Sequence, residues 1–247
     1  MFSPSFRPPP LDLALTSDEI HVWCVPLDLS VSRFEMLSQT LSLDERMRAE
    51  RFHFEKDRKR FIVGRAILRT ILGYYLNIEP SRLTFCYGKY GKPALADTFG
   101  KETICFNLSH SDGLGLYGFT LGCEIGVDIE HIRDISEMEQ IAERFFCASE
   151  KAFFRSLPED KKKEAFFDCW TRKEAIIKAI GDGLSLPLDR FDIALVPGEP
   201  ARLLSIGGNS KAASGWFVQE LKPVSGFTAA FAIQGQSRRV HCWQWLA

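Results

Sequence analysis

Long apolar runs are missing from this 247-residue sequence; none approaches the roughly 18 residues needed to cross a bilayer, so no membrane partner is expected. An excess of either charge is missing too. Lysine and arginine total 31 against 32 aspartates and glutamates, a net charge of -1, and nucleic acid is therefore not the expected partner. The seven cysteines (Cys24, Cys86, Cys105, Cys123, Cys147, Cys169 and Cys242) form no CxxC pair. That scatter argues against a zinc site or a disulfide framework, and for a reduced, cytoplasmic protein. Behind Arg7 and Pro8-Pro9-Pro10 there is no apolar segment of the kind a signal peptide carries. A Gly-rich phosphate loop of the P-loop type is also absent. What is present, 45% apolar and 26% charged residues, is globular composition with length for one large domain or two small ones.

The first fifteen residues, rich in proline, predict an extended arm. Ile20 to Val25 predicts a strand, and Ser42-Leu43-Asp44-Glu45 carries the capping-box pattern of a helix running towards Phe54. A longer helix is expected from Asp57, with Phe61, Arg65, Leu68, Leu72 and Tyr75 at helical spacing. Strands follow at Leu83 to Cys86, from Ile104, from Leu114 to about Leu121 and from Ile125 to Ile129. Three helices come next: one capped by Ser136 with Glu139, one from near Ser149, and one from about Glu164 to Ile180, stopped by Gly181. A faint repeat links Arg65-Ala66-Ile67-Leu68 to Glu174-Ala175-Ile176-Ile177, and Gly91-Lys92-Pro93-Ala94 to Gly198-Glu199-Pro200-Ala201. The expected fold is α+β in two similar halves, residues 16–122 and 123–247 after the arm 1–15. Each half would pack a long helix on a small, mostly antiparallel sheet, with a ligand cleft between them.

The chemistry concentrates in Ile125-Gly126-Val127-Asp128-Ile129-Glu130. Alternation on a strand turns Ile125, Val127 and Ile129 inward and puts Gly126, Asp128 and Glu130 on the other face. Paired carboxylates repel unless a cation lies between them, and oxygen-only ligands suit Mg²⁺. Gly126 is expected to let a ligand approach the backbone. The plain alternative is a solvated strand face. In Trp170-Thr171-Arg172-Lys173-Glu174-Ala175-Ile176-Ile177-Lys178, helical spacing puts Trp170, Glu174 and Lys178 on one face. That face offers either a simple Glu–Lys pair or a third carboxylate with a phosphate-neutralising lysine. Ser109 and His110 in Asn107-Leu108-Ser109-His110-Ser111, and Lys92 in the Gly88 to Pro93 loop, are candidate phosphate contacts. The basic run from Arg46 to Arg60 reads as a solvated helix face.

Taken in order, Gly91-Lys92-Pro93, Asn107-Leu108-Ser109-His110-Ser111, Gly126-Val127-Asp128-Ile129-Glu130, and Trp170 to Ala175 with Lys178 resemble the 4'-phosphopantetheinyl transferases. The likeness is to the longer, surfactin-synthetase-activating (Sfp-like) type, a fused pair of halves with pseudo-twofold symmetry. It runs from about Ser42 to Leu188, through Arg144-Phe145-Phe146 and Gly183-Leu184-Ser185-Leu186-Pro187. The resemblance implies transfer of the phosphopantetheine arm of coenzyme A to a serine of an apo acyl or peptidyl carrier protein, releasing adenosine 3',5'-bisphosphate. It implies Mg²⁺ (or Mn²⁺) held by Asp128, Glu130 and Glu174, with Lys178 aiding the leaving bisphosphate. Lys92, Pro93, Ser109 and His110 would surround the CoA phosphates and adenine, with Arg48 and Arg60 adding charge. Either Glu174 or a metal-bound water held by Asp128 would be the base. The carrier is expected to dock near Arg133 to Phe146, and the enzyme to be a monomer. The competing class is a non-catalytic CoA-binding module of the same fold, expected to lose a metal carboxylate or Lys178.

Overall fold

In the computed structural model, which describes residues 5–96, 104–181, 187–195 and 200–246, one series of elements occurs twice. The first runs through β1 (Glu19–Pro26), α1 (Val31–Ser38), α2 (Leu43–Ala49) and the 22-residue α3 (Glu55–Leu76). It continues with β2 (Phe85–Tyr87), β3 (Pro93–Leu95), β4 (Ile104–Ser111) and β5 (Leu114–Leu121). The second runs through β6 (Ile125–His131), α4 (Met138–Phe145), α5 (Ala148–Ser156) and the 22-residue α6 (Glu159–Ile180). It continues with β7 (Phe191–Ile193), β8 (Leu203–Ile206), α7 (Ser210–Ala213), β9 (Trp216–Leu221) and β10 (Phe227–Gln234). In each series the first strand and the last two pair antiparallel in one order, β1-β5-β4 and β6-β10-β9. The expected α+β fold of paired halves is what the chain forms.

The last strand, β11 (Arg239–Gln244), crosses to the first sheet and pairs parallel with β1, His241 opposite His21. Arg7 in the proline-rich arm bridges to Trp243 beside it. The sheets face each other through a core that includes Ile20, Val22, Leu116, Val127, Ile129 and Phe231. Helix α3 covers the outer face of the first sheet, with Ile67 and Ile71 against Trp23 and Phe119. Helix α6 covers the second, with Ala175, Ile176 and Ala179 against Ala230 and Ala232. Each fully buried Ile, Val or Phe contributes about 1.5–3 kcal/mol.

Each half also buries one ion pair of the same design. Glu45, third residue of α2, accepts the N–H of Ser42 at 3.1 Å and holds Arg69 of α3 at 2.6 Å. Arg69 in turn donates to the carbonyls of Pro80 and Leu83, both at 2.9 Å. Glu150 of α5 accepts the N–H of Cys147 at 2.8 Å and holds Lys173 of α6 at 2.8 Å. Lys173 donates to the carbonyls of Leu188 and Phe191. The long helices therefore correspond at an offset of 104 (173 minus 69), not at the 109 that aligns Ala66 with Ala175. Gly198 and Glu199 of the second sequence match lie outside the described residues.

Several boundaries move. Helix α2 stops at Ala49 and α3 starts at Glu55. Helix α6 begins directly after Pro158, whose fixed φ suits a helix entry, rather than near Glu164. Glu137, not Ser136, caps α4, and Cys147 caps α5. Helix α1 escapes sequence analysis because Leu37 is its one buried residue, too little for a periodic signal.

Lys173→Met would leave Glu150 buried without its counter-charge, and is expected to cost about 3–5 kcal/mol. Arg69→Met should cost less, because Arg65 still faces Glu45 at 3.4 Å. Urea midpoints with unchanged slopes are the check; a native midpoint in either variant would show that the pair contributes nothing.

Candidate active site

The site is assembled where an edge of each sheet meets the other. Asn107, Ser109 and Ser111 share one face of β4 and reach β6 in sequence. Asn107 accepts the Val127 N–H at 2.9 Å, Ser109 donates to Asp128 at 2.8 Å, and Ser111 donates to Glu130 at 2.8 Å. Ser111 also accepts the His131 N–H at 3.1 Å. Helix α6 lies against β6 so closely that a Cβ on Gly126 would overlap the Ala175 carbonyl and the Ala179 nitrogen. Sequence analysis assigned that glycine to ligand approach. The structure corrects this, because it is helix backbone that fills the space.

This contact puts Glu174 and Lys178 over the strand carboxylates. Lys178 Nζ lies 2.6 Å from Asp128 Oδ1 and donates to Ser109 Oγ at 3.0 Å. Asp128 is 4% exposed, and its Oδ2 has no hydrogen-bond partner among the described residues. Burial raises the Asp128 pKa and Glu130 adds to it, opposed by Lys178 and Ser109. Burial also raises that of Glu174, with Asp128 and Glu130 contributing and Lys178 opposing. Three carboxylates, two of which raise the pKa of the third and one of which carries an orphaned buried oxygen, supply oxygen-only donors of the kind a hard divalent cation takes.

A cleft of about 470 Å³ opens above them. Of the ten site residues expected from sequence, it is lined by seven: Arg48, Arg60, Lys92, Pro93, His110, Glu174 and Lys178. Asp128, Ser109 and Glu130 are not in its wall; the first two connect to it through Lys178. Lys92 donates to Glu124 at 2.6 Å and to the Lys178 carbonyl at 3.0 Å, tying the β2–β3 hairpin to α6. Arg60 is paired with Asp28 at 2.6 Å, and Arg48 lies over Phe61 and Tyr87. The His110 pKa is depressed by burial, then by Lys178 and Arg60. Sequence analysis missed Asn107, Tyr90 and Arg65 as lining residues. Arg65 reads there as part of an apolar stripe, whereas it pairs with Glu45 at 3.4 Å and faces Phe85. Gly183 to Leu186 lie outside the described residues.

Two family models match the chain. Residues 124–232 match the 4'-phosphopantetheinyl transferase superfamily, and residues 28–116 match a 4'-phosphopantetheinyl transferase N-terminal model. The 4'-phosphopantetheinyl transferase HetI of Nostoc sp. is 42% identical over 245 residues, covering 99% of this chain and 100% of its own. The chain belongs to the 4'-phosphopantetheinyl transferase family. Sfp of Bacillus subtilis, also a 4'-phosphopantetheinyl transferase, is 32% identical over 68% of this chain and 72% of its own. Among solved structures, Thermotoga maritima holo-[acyl-carrier-protein] synthase matches 46% of this chain and 63% of its own, with TM-score 0.35 and 21% identity. The transferase is thus an enzyme of the Sfp-like type that modifies carrier proteins with phosphopantetheine. Among its described residues, no helix is long and apolar enough to cross a membrane.

In the transferase, Gly126→Ala must force α6 away from β6, and is expected to cost at least the ~1–3 kcal/mol typical of overpacking. Thermal unfolding measures it; native stability would show that the helix can shift freely. Glu174→Gln acts in the opposite direction. A carboxyl whose folded pKa is raised contributes stability at pH below its unfolded value and loses it as pH rises through the folded value. Removing the charge should therefore raise the metal-free melting temperature at pH 7 by a few degrees and change nothing at pH 3. A lowered melting temperature at pH 7 would contradict the raised Glu174 pKa described above.

Proposed function

We propose that this transferase moves the 4'-phosphopantetheine arm of coenzyme A onto a serine of an apo acyl or peptidyl carrier protein, releasing adenosine 3',5'-bisphosphate. The observation that carries this reading is the convergence of Asp128, Glu130, Glu174 and Lys178 beneath a basic cleft. Asp128, Glu130 and Glu174 would hold Mg²⁺ or Mn²⁺. Such a cation supplies positive charge to the pyrophosphate of CoA.

The remaining roles fall to this chain's own side chains. Lys92, Pro93 and His110, with Arg48 and Arg60, receive the CoA phosphates and adenine. Lys92 and His110 stand in the cleft wall, while Ser109 acts from behind by orienting Asp128 and Lys178. The serine oxygen attacks the β-phosphorus, the pyrophosphate P–O bond breaks, and the bisphosphate departs with its charge balanced by Lys178. Glu174 is the carboxylate that lines the cleft, which favours it as acceptor of the serine proton. A water positioned by Asp128 is the less favoured base, because Lys178 and Ser109 already engage that carboxylate.

We read residues 16–122 and 123–247 as the two halves flanking the cleft, with β11 as the segment that crosses back. The carrier docks along α4, near Arg133 to Phe146. All seven cysteines are free, which supports a reduced cytoplasmic setting, and one chain supplies both walls of the cleft, which supports a monomer. A non-catalytic CoA-binding module is disfavoured, since every carboxylate and Lys178 is in place.

Incubation with CoA, Mg²⁺ and apo carrier protein should add one phosphopantetheine to the carrier's intact mass, and EDTA or Asp128→Ala should abolish the gain. Lys178→Ala should lower kcat by about 10²–10³. Unmodified acyl and peptidyl carriers, despite bound CoA, would overturn the reading.

A further inference from the structure

Strand β1 places Glu19 and His21 two residues apart on one face, and the parallel register of β11 puts His241 directly opposite His21. Three potential ligand atoms then gather within 4.8 Å of one another. His21 Nε2 is 3.7 Å from Glu19 Oε2, and His241 Nε2 is 3.2 Å from Glu19 Oε1. Tetrahedral ligands at about 2.0–2.1 Å from a zinc ion stand about 3.3 Å apart, close to these spacings.

The surroundings fit ligation better than hydrogen bonding. The His241 Nε2 atom is buried and makes no hydrogen bond among the described residues, despite its closeness to Glu19. The Nδ1 of His21 meets the Tyr75 hydroxyl at 2.8 Å, and that hydroxyl also accepts from Trp23 Nε1 at 2.9 Å. Ligation through Nε2 requires the tautomer in which Nδ1–H donates to that hydroxyl, and in it the ring faces Glu19 as metal-binding histidines typically face their metal. Glu19 is steadied by the Thr16 N–H at 3.2 Å and by Arg239 at 3.4 Å. Burial holds the His21 imidazole neutral, with its pKa lowered to about 4, so one ring nitrogen carries a lone pair at physiological pH. The cluster opens onto a depression of about 590 Å³ bounded by Arg7 to Pro10 of the arm, which leaves room for a fourth ligand such as water.

We propose that Glu19, His21 and His241 bind a borderline divalent transition metal, of which Zn²⁺ is the representative, and that this metal staples the crossing strand β11 to β1. Two imidazoles and a carboxylate suit Zn²⁺ or Co²⁺, whereas the all-oxygen cluster at Asp128 suits Mg²⁺.

The test titrates the full chain with Zn²⁺, and with Co²⁺ as a spectroscopic probe, in excess Mg²⁺ to fill the oxygen site. One equivalent should bind without a thiolate charge-transfer band. Ring resonances of His21 and His241 should shift while those of His53, His110 and His131 stay in place. His241→Ala should weaken Zn²⁺ binding on the order of 100-fold, the upper range already seen for loss of an outer-shell partner. Absence of saturable binding, a thiolate band, or shifts confined to the other histidines would overturn the proposal. Equal affinity in a folded His241→Ala would do the same. Should that variant fail to fold, the histidine resonances of the native chain decide alone.

Discussion

Everything in this molecule depends on how two sheet edges meet. An edge strand exposes a row of unpaired polar groups and normally needs a partner strand or a cover. Here β4 covers β6 with side chains instead of backbone: Asn107, Ser109 and Ser111 each reach one or two groups of the opposing strand. The join satisfies the Val127 and His131 amides, and it leaves two carboxylates pinned by hydroxyls at the boundary between halves. A regular β-ladder would have satisfied the same amides but would not have gathered the carboxylates. The polar seam is therefore both the joint of the fold and the floor of the site.

That floor requires α6 at a fixed height. Gly126 sets the height from below, since nothing larger fits beneath the Ala175 carbonyl. Lys173 sets it from the far side, fully buried and shared between Glu150 and two carbonyls. Burying an ion pair is weak evidence of net stability, because desolvation offsets most of the attraction. Its value here is directional. Lys173 has one place to put its ammonium group, so the turn of helix carrying Glu174 and Lys178 has one rotation about its axis. The equivalent Glu45–Arg69 pair performs the same service for α3, although that helix carries no carboxylate at position 70 or lysine at position 74. The duplicated framework thus carries the Glu174 and Lys178 pair on one of its two long helices.

What the sequence made legible was local. The alternation in Ile125 to Glu130 and the four-residue spacing of Glu174 and Lys178 each identify a face, because the periods of strand and helix are short. Cleft residues such as Lys92 and His110 were legible as motif members. The buried pairs were not: Glu45 lies 24 residues from Arg69 and reads as an ordinary capping-box residue, and Lys173 lies in a charged stretch that looks solvated. Gly126 was singled out for the right position and the wrong neighbour, since the sequence shows that space is needed without showing what fills it. The Glu19, His21 and His241 cluster was invisible for a further reason. Its members come from opposite ends of the chain and meet through a parallel pairing, which no turn or spacing announces.

That parallel pairing also governs how rigid the cleft is. Two halves joined by the short stretch between β5 and β6 and a polar seam would be free to hinge, and domain motion is the default where an interface is modest. Strand β11 removes that freedom. It leaves the second sheet after β10, crosses, and hydrogen-bonds along β1 from Glu19 to Cys24, with Arg7 of the arm laid against its outer side. Opening the halves would strip this ladder and expose the apolar surface of Ile20, Val22 and Phe231 together. Charges aimed at a developing phosphate charge act most strongly when they need not reorganise. A seam that places the carboxylates and a strand that prevents the halves from parting supply that fixity from opposite sides of the cleft.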